Sequence, residues 1–348
     1  MRKKPIAFFA IMAQVIAVLG LGIYYYRNNM RKHKVEDVKP EKEILVSVVV
    51  PVYNSKEFLY PCLDSLFGQT LSDIEFIFVD DLGTDNSIEL IKEYIRFNKI
   101  KRNVQFLRNA ENSGPGPSRN AGIEAARGKY VGFVDPDDWI SPDFYEMLYA
   151  AATATESQNG TAYDVAKGVM MKVVNGAPRL SRHGTILIAN RAPRVYEQFT
   201  WQHFTGLFRR GLLVEHPDAR YGSMRVGEDL LFLLTAGFYA GNITFTGVPK
   251  YYYRIRGNSL TYQDRIKFYT NDLESLKEMM DFFFKKTMHN ETSNEFAMYT
   301  VGKITKVKKR LNGLYANGRN ETYAEILNEY TTIADYLLSY VNGTLVYP

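Results

Sequence analysis

The sequence predicts an α/β protein with a mainly parallel sheet that is flanked by helices. Short apolar runs rich in β-branched residues alternate with amphipathic segments of helical period, and short polar links join them. This alternation is typical of a right-handed parallel sheet. A long apolar segment near the amino terminus predicts an additional transmembrane helix. Apolar stripes after residue 262 predict a helical carboxyl-terminal region.

The first strand is predicted at 44–52, where a nearly continuous apolar run ends in Tyr53 and Asn54. Such a run is typical of a strand that is buried on both faces. The following elements keep the alternation and are predicted at 55–69 (helix), 74–79 (strand), 85–95 (helix), 104–107 (strand), 118–127 (helix) and 130–134 (strand). Farther along, 230–239 is predicted as a helix, and three apolar stripes predict helices between 264 and 340.

Carboxylates follow two of the predicted strands. Asp80 and Asp81 end the second strand, and Asp135, Asp137 and Asp138 follow the fourth. Ligands of open α/β sheets bind beyond the carboxyl ends of the strands, and hard divalent cations prefer oxygen ligands. The pattern therefore predicts a metal–nucleotide site. The alternative is turn capping, because Asp and Asp-Pro are common where a turn begins.

Several motifs occur in an order that matches a known family. They are Val46 to Asn54, Val79-Asp80-Asp81, Asn112-x-Gly114 with Arg119-Asn120-x-Gly122, Phe133 to Asp138, Gly227-Glu228-Asp229, and Tyr251 to Arg256 with Ser259-Leu260-Thr261. Together they resemble the family 2 inverting glycosyltransferases, which have the GT-A fold. Leu82 and Gly83 depart from the family's usual Asp-Gly-Ser-Thr-Asp stretch, and Pro136 replaces its usual Ser or Asp. The Gln-x-x-Arg-Trp motif of processive synthases is absent from the expected region.

The resemblance implies transfer of a sugar, with inversion, from a nucleotide-diphosphate sugar to a hydroxyl of a glycan or glycoconjugate acceptor. We expect a UDP-linked hexose or N-acetylhexosamine as the donor. The implied nucleotide-sugar site consists of Pro51, Tyr53, Asp81, Arg119, Asp135 and Arg256. Within it, Asp81 accepts a hydrogen bond from the base and Tyr53 lies against that base.

The resemblance also implies a Mg²⁺ or Mn²⁺ ion held by Asp137, the main ligand, with Asp135. It assigns the role of general base to Asp229. Each assignment has a structural alternative: Arg119 and Arg256 in surface ion pairs, and Asp229 as a favourable charge in the first turn of a helix. Aromatic residues Trp201 and Phe204, with His203, are candidates for the acceptor side. A non-catalytic member that binds a nucleotide sugar or scaffolds other enzymes is the alternative function.

Composition excludes several other classes. The chain has 348 residues, a net charge of +5 and one cysteine, Cys62. An internal disulfide and a cysteine metal site are therefore excluded, and nucleic-acid binding is not indicated. The first βα turn, 52–57, has no glycine, which argues against a dinucleotide-binding oxidoreductase.

Residues 5–26 are predicted to anchor the chain in a membrane. Basic residues flank the segment on both sides, and Tyr24 to Tyr26 lie where an interfacial aromatic belt is expected. A cleaved signal peptide is the alternative, although no small-x-small cleavage site is evident. The domains expected are an anchor with tether (1–43), a GT-A domain (44–262) and a helical region (263–348). Five glycosylation sequons slightly favour a Golgi-type lumenal domain over a bacterial inner-membrane protein with a cytoplasmic domain.

Overall fold

A computed structural model describes residues 43–154, 160, 162–180, 202–223, 227–256, 265–287, 291–318 and 321–342. The chain divides into two compact units, Met1–Glu43 and Ile44–Pro348, and every described helix and strand belongs to the second. The predicted anchor at 5–26 lies outside the described residues. Among the helices that are described, none is both long enough and apolar enough to cross a bilayer.

The first part of the second unit alternates strands and helices, as predicted. In chain order its elements are β1 (Val46–Val52), α1 (Leu59–Phe67), β2 (Ile74–Asp80), α2 (Ser87–Phe97), β3 (Asn103–Arg108), α3 (Pro115–Ala125), β4 (Tyr130–Phe133), β5 (Trp139–Ile140) and α4 (Phe144–Thr153). The elements that follow are β6 (Val165–Val174), β7 (Ala177–Leu180), β8 (Gly206–Arg209), α5 (Arg210–Glu215), α6 (Glu228–Tyr239) and β9 (Ile243–Arg254). Three long helices complete the described chain: α7 (Arg265–Thr287), α8 (Glu291–Gly318) and α9 (Glu321–Val341).

The described strands form one mixed sheet in the order β3-β2-β1-β4-β8-β6-β9-β5, with β7 paired to β6. Strands β1 to β4 pair in parallel, as expected. Beyond β4 the sheet is mixed, because β8 is antiparallel to both β4 and β6 and β5 is antiparallel to β9, whereas β6 and β9 pair in parallel. The expectation of a mainly parallel sheet therefore holds only in part, since the predicted strands ended at residue 134 and gave no directions for this region.

Both faces of the sheet are covered. Alternate β1 residues face opposite sides: Val48 packs in the cluster formed with α1 and α4, and Val49 packs in the cluster formed with α3 and α6. The cluster under the carboxyl-terminal helices includes Leu230 and Leu234 of α6. Helix α6 therefore lies between the sheet and α7–α9, which explains why an apolar helix of this length is so well buried.

Candidate active site

The carboxyl end of β2 meets the loop that precedes α3. Asp81 is buried, and its Oδ1 accepts hydrogen bonds from Asn109 Nδ2 (2.7 Å) and from the Ser113 amide (2.9 Å). Its Oδ2 accepts one from the Gly114 amide at 2.8 Å. A carboxylate has about four acceptor positions, and hydrogen bonds within the described residues occupy three of those on Asp81. Tyr53, whose backbone lies near Gly83 in the turn after Asp81, is 46% exposed, as a residue that contacts a nucleotide base would need to be.

The turn after Asp81 departs from the family pattern and shows how the departure is accommodated. Leu82 adopts a left-handed conformation (φ 60°) where the pattern has glycine. Gly83 lies so close to the end of β1 that an added Cβ would be 2.9 Å from the Asn54 amide nitrogen. Asn54 Oδ1 accepts a hydrogen bond from the Thr84 amide at 2.7 Å. The glycine has thus moved by one position, to where two loops meet.

The acidic turn after β4 presents two carboxylates rather than three. Asp138 is only 1% exposed and accepts hydrogen bonds from the Tyr251 hydroxyl (2.9 Å) and the Arg254 amide (2.7 Å). Burial and the two neighbouring aspartates raise its pKa well above the ordinary value. The prediction that all three aspartates belong to a metal–nucleotide site is therefore wrong for Asp138, which ties the turn to β9. Asp135 and Asp137 are partly exposed and are the pair available to a ligand.

Each of these two carboxylates is held by an arginine. Arg256 Nη2 lies 2.5 Å from Asp137 Oδ2, and its guanidinium lies over the Phe58 ring at 4.6 Å. Arg119 Nη2 donates to Asp135 Oδ1 at 2.6 Å. Burial opposes ionisation of Asp135, but the charges of Arg119 and Arg256 outweigh it and lower its pKa. Burial and the nearby Asp135 raise the pKa of Asp137, although Arg256 acts in the opposite direction.

Arg119 connects the acidic turn to α6. It is only 4% exposed, and its Nη1 donates to Glu228 Oε1 at 2.8 Å. Burial and neighbouring Asp229 raise the pKa of Glu228 to about 7, with Arg119 acting in the opposite direction. The alternative of a surface ion pair is wrong for Arg119, because both of its bonds are inside the protein. Its predicted contact with the donor stays a prediction.

Asp229 is placed by the first turn of α6. Gly227 precedes the helix in a left-handed conformation (φ 86°), and an added Cβ there would be 2.9 Å from Ser275 Oγ of α7. The Asp229 side chain is 19% exposed, and its Oδ2 lies 3.7 Å from His203 Nδ1. The negative charge of Asp229 is also stabilised by the positive end of the helix dipole. A carboxylate that is partly exposed at a fixed helix terminus is able to accept a proton from a bound hydroxyl.

Other predicted residues are placed as follows. Pro51 is buried within β1, in register with Val79 of β2. His203 and Phe204 are buried and begin a 3₁₀ turn, whereas Trp201 lies outside the described residues, as do Ser259 to Thr261. The sequence reasoning gave no role to Tyr221, a buried residue whose ring lies under Arg119 at 5.2 Å. No motif singles it out, because its importance arises from long-range packing.

The donor set is consistent with a hard cation. Within the described residues, no group of three or more His, Cys, Asp or Glu side chains is arranged to hold a metal. Mg²⁺, however, usually binds through one or two carboxylates and completes its shell with water and substrate phosphates. Asp137 and Asp135 provide such a pair, and both are partly exposed. The residues therefore fit a cation that binds together with a diphosphate.

Comparisons with known proteins agree with this fold. Residues 47–211 match the family model described as glycosyl transferase family 2. The chain is 35% identical over 228 residues to the uncharacterized glycosyltransferase EpsJ of Bacillus subtilis, covering 62% of this chain and 63% of that protein. The structure of S. aureus TarS 1–349 in complex with UDP-GlcNAc has a TM-score of 0.54 at 23% identity, covering 86% of this chain and 92% of that one. A Pyrobaculum calidifontis mannosyltransferase in complex with GDP-Man and Mn²⁺ has a TM-score of 0.53 at 16% identity, covering 96% and 97%.

Proposed function

We propose that this chain, which contains a glycosyltransferase family 2 domain over residues 47–211, transfers a sugar from a UDP-linked donor to an acceptor hydroxyl with inversion. The observation that carries the proposal is the buried link Asp135–Arg119–Glu228. This link joins the acidic turn after β4 to the first turn of α6. It therefore fixes the candidate donor site and Asp229 relative to each other.

The donor would lie across the carboxyl ends of β1, β2 and β4. Asp81 offers its remaining acceptor position to the N–H of a uracil, and the exposed Tyr53 ring lies against the base. Asp135 faces the ribose or the cation. Structural neighbours that bind UDP-GlcNAc and GDP-Man support a nucleotide-sugar donor for this chain. Three of the four acceptor positions on Asp81 are already used, which holds the carboxylate still for recognition of a base edge.

A divalent cation held by Asp137 and Asp135 would supply positive charge to the departing diphosphate. Arg256 lies next to Asp137 and adds charge-assisted hydrogen bonds to the diphosphate once the donor is bound. Asp229 accepts the proton of the acceptor hydroxyl as that oxygen bonds to the anomeric carbon. The bond from the anomeric carbon to the diphosphate oxygen breaks in the same step. One displacement inverts the anomeric centre and needs no covalent nucleophile on the protein.

The acceptor and the location of the enzyme are further parts of the proposal. The acceptor is a glycan or glycoconjugate, and it approaches from the side of Asp229 and His203.

Residues 5–26 anchor the chain in a membrane, and a lumenal domain is tested by glycosidase treatment of the native protein. A mobility shift supports the lumen. No shift, with protease protection in intact cells but cleavage in sealed inside-out vesicles, contradicts it.

The non-catalytic alternative is separated from catalysis by Asp229→Asn. This substitution keeps the shape of the side chain but removes its ability to accept the proton. We expect UDP and UDP-GlcNAc to bind with unchanged affinity in the presence of Mn²⁺, and transfer to fall by about 10²-fold or more. Calorimetry and a UDP-release assay on the same samples measure both quantities. If donor binding falls in proportion to turnover, Asp229 has a role in binding rather than in catalysis. If the wild type turns over none of the donors of a nucleotide-sugar panel, the non-catalytic alternative is favoured.

A further inference from the structure

His203 is a buried histidine, and the described residues offer no hydrogen bond to its ring nitrogens. It begins the 3₁₀ turn that precedes β8 and is only 2% exposed. Among the described residues, neither Nδ1 nor Nε2 has a hydrogen-bond partner. The rings of Phe133, Phe204 and Tyr221 contact it edge-on, with centroids 5.2–5.9 Å away. Buried polar atoms nearly always have partners, so this ring requires an explanation other than packing.

The nearest acceptor is the candidate base. His203 Nδ1 lies 3.7 Å from Asp229 Oδ2, about 0.8 Å longer than an ordinary N–H···O hydrogen bond. Catalytic hydrogen bonds are often long in the free enzyme and shorten in the substrate complex. The Asp229 side chain is 19% exposed, so a small rotation of that carboxylate is the movement that would close the remaining gap.

The surroundings of His203 keep its ring neutral. Burial lowers its pKa well below the ordinary value, and Arg119 of α3 and Lys167 of β6 act in the same direction. Asp135 after β4 opposes them without reversing the result. A neutral imidazole has one N–H donor and one acceptor nitrogen. It is therefore able to orient Asp229 without giving it a proton, so the carboxylate keeps its negative charge and its ability to act as a base.

We propose that His203 is a positioning residue for Asp229, which rests on the function proposed above. In the complex with donor and acceptor, Nδ1–H donates to Asp229 Oδ2 and directs Oδ1 towards the acceptor hydroxyl. The nitrogen exchanges no proton with the substrate, so the balance of the displacement is unchanged. An apolar side chain of similar volume would fill the space without this restraint on the carboxylate.

The proposal is tested with His203→Leu, which removes the donor, and His203→Asn, which places an N–H donor near the position of Nδ1. His216→Leu is the matched control, because His216 stacks on Tyr239 and is placed in no part of the site. UDP release from UDP-GlcNAc with Mn²⁺ is measured with and without a panel of p-nitrophenyl glycosides as acceptors. Calorimetry with UDP-GlcNAc and Mn²⁺ shows for each variant whether the donor site is folded.

We expect His203→Leu to lower kcat by about 10- to 100-fold with the KM for the donor unchanged, as a misplaced reacting group would. His203→Asn should recover most of the loss, and His216→Leu should match the wild type. Wild-type kcat in His203→Leu, or an equal loss in His203→Asn that still binds donor, would overturn the positioning role alone. A wild-type protein without turnover with every donor of a nucleotide-sugar panel would overturn the proposed function and this role with it, and the variants are compared with whichever donor of the panel the wild type uses. If His203→Leu does not fold, His203→Asn decides: near-wild-type kcat supports the proposal, and a loss of 10-fold or more with donor binding intact overturns it.

Discussion

The buried link through Arg119 leads to a strong prediction about stability. Arg119→Met removes two charge-assisted hydrogen bonds, of 2.6 Å to Asp135 and 2.8 Å to Glu228, from a side chain that is 5% exposed. Each such bond contributes about 1.5–3 kcal/mol, and removing one partner of a buried pair typically costs about 3–5 kcal/mol. Glu228 is able to relieve part of the loss by binding a proton, because its pKa is already about 7. We therefore expect the free energy of unfolding to fall by about 3–5 kcal/mol.

Urea unfolding of the full chain, followed by circular dichroism, measures this loss. Arg96→Met is the matched control, because Arg96 forms an exposed pair with Glu93 at 3.9 Å, and we expect its cost to be below about 1 kcal/mol. In a double-mutant cycle, Glu228→Gln should lower the free energy of unfolding less in the Arg119→Met variant than in the wild type, since the guanidinium that binds Glu228 is already absent. The reasoning would be refuted if Arg119→Met cost no more than Arg96→Met at an unchanged denaturant slope.

Three further predictions follow from other parts of the fold. Asp137→Ala should abolish sugar transfer while leaving the unfolding temperature almost unchanged, because Asp137 lies in a partly exposed turn. Near-wild-type turnover with added Mg²⁺ or Mn²⁺ would contradict the assignment of Asp137 as the main metal ligand. Burial raises the pKa of Glu75, but hydrogen bonds from Ser47, Arg127 and Gln105 outweigh it and lower the pKa below 4.5. Ionised Glu75 therefore stabilises the folded protein above about pH 4.5. This stabilisation is lost as the pH falls through the lowered pKa. Glu75→Gln should therefore flatten the dependence of the unfolding temperature on pH in this acidic range, and an unaltered profile would contradict it. Gly122→Ala should lower the free energy of unfolding by about 1–3 kcal/mol, because the added Cβ would lie 2.2 Å from Val49 Cγ1. Adding Val49→Ala should recover part of this loss, and thermal unfolding of the single and double variants measures it.

The local sequence pattern was sufficient to predict the strands and helices that carry the candidate active site. The β-branched run before Tyr53 and the Asp-rich ends of β2 and β4 identify strands and their carboxyl ends, because burial on both faces imposes a continuous apolar run on each strand. The order of the motifs was sufficient for the fold, which the comparison with TarS supports. The sequence also identified Asp135 and Asp137 as candidates from their place at a strand end, whereas Asp229 was assigned from the resemblance of the motifs to the family.

The tertiary structure alone decided which of these groups meet. Arg119 and Glu228 are 109 residues apart, and Asp138 and Tyr251 are 113 apart, so no periodicity connects them. The turn after β4 contains adjacent aspartates of similar chemistry, yet Asp138 points inward because β9 pairs with β5 and carries the Tyr251 hydroxyl to it. The position of His203 beside Asp229 likewise depends on how α6 packs against the sheet. Local sequence determines which elements form, whereas the partner of a buried charge is fixed by packing, since only packing removes the water that would otherwise solvate it.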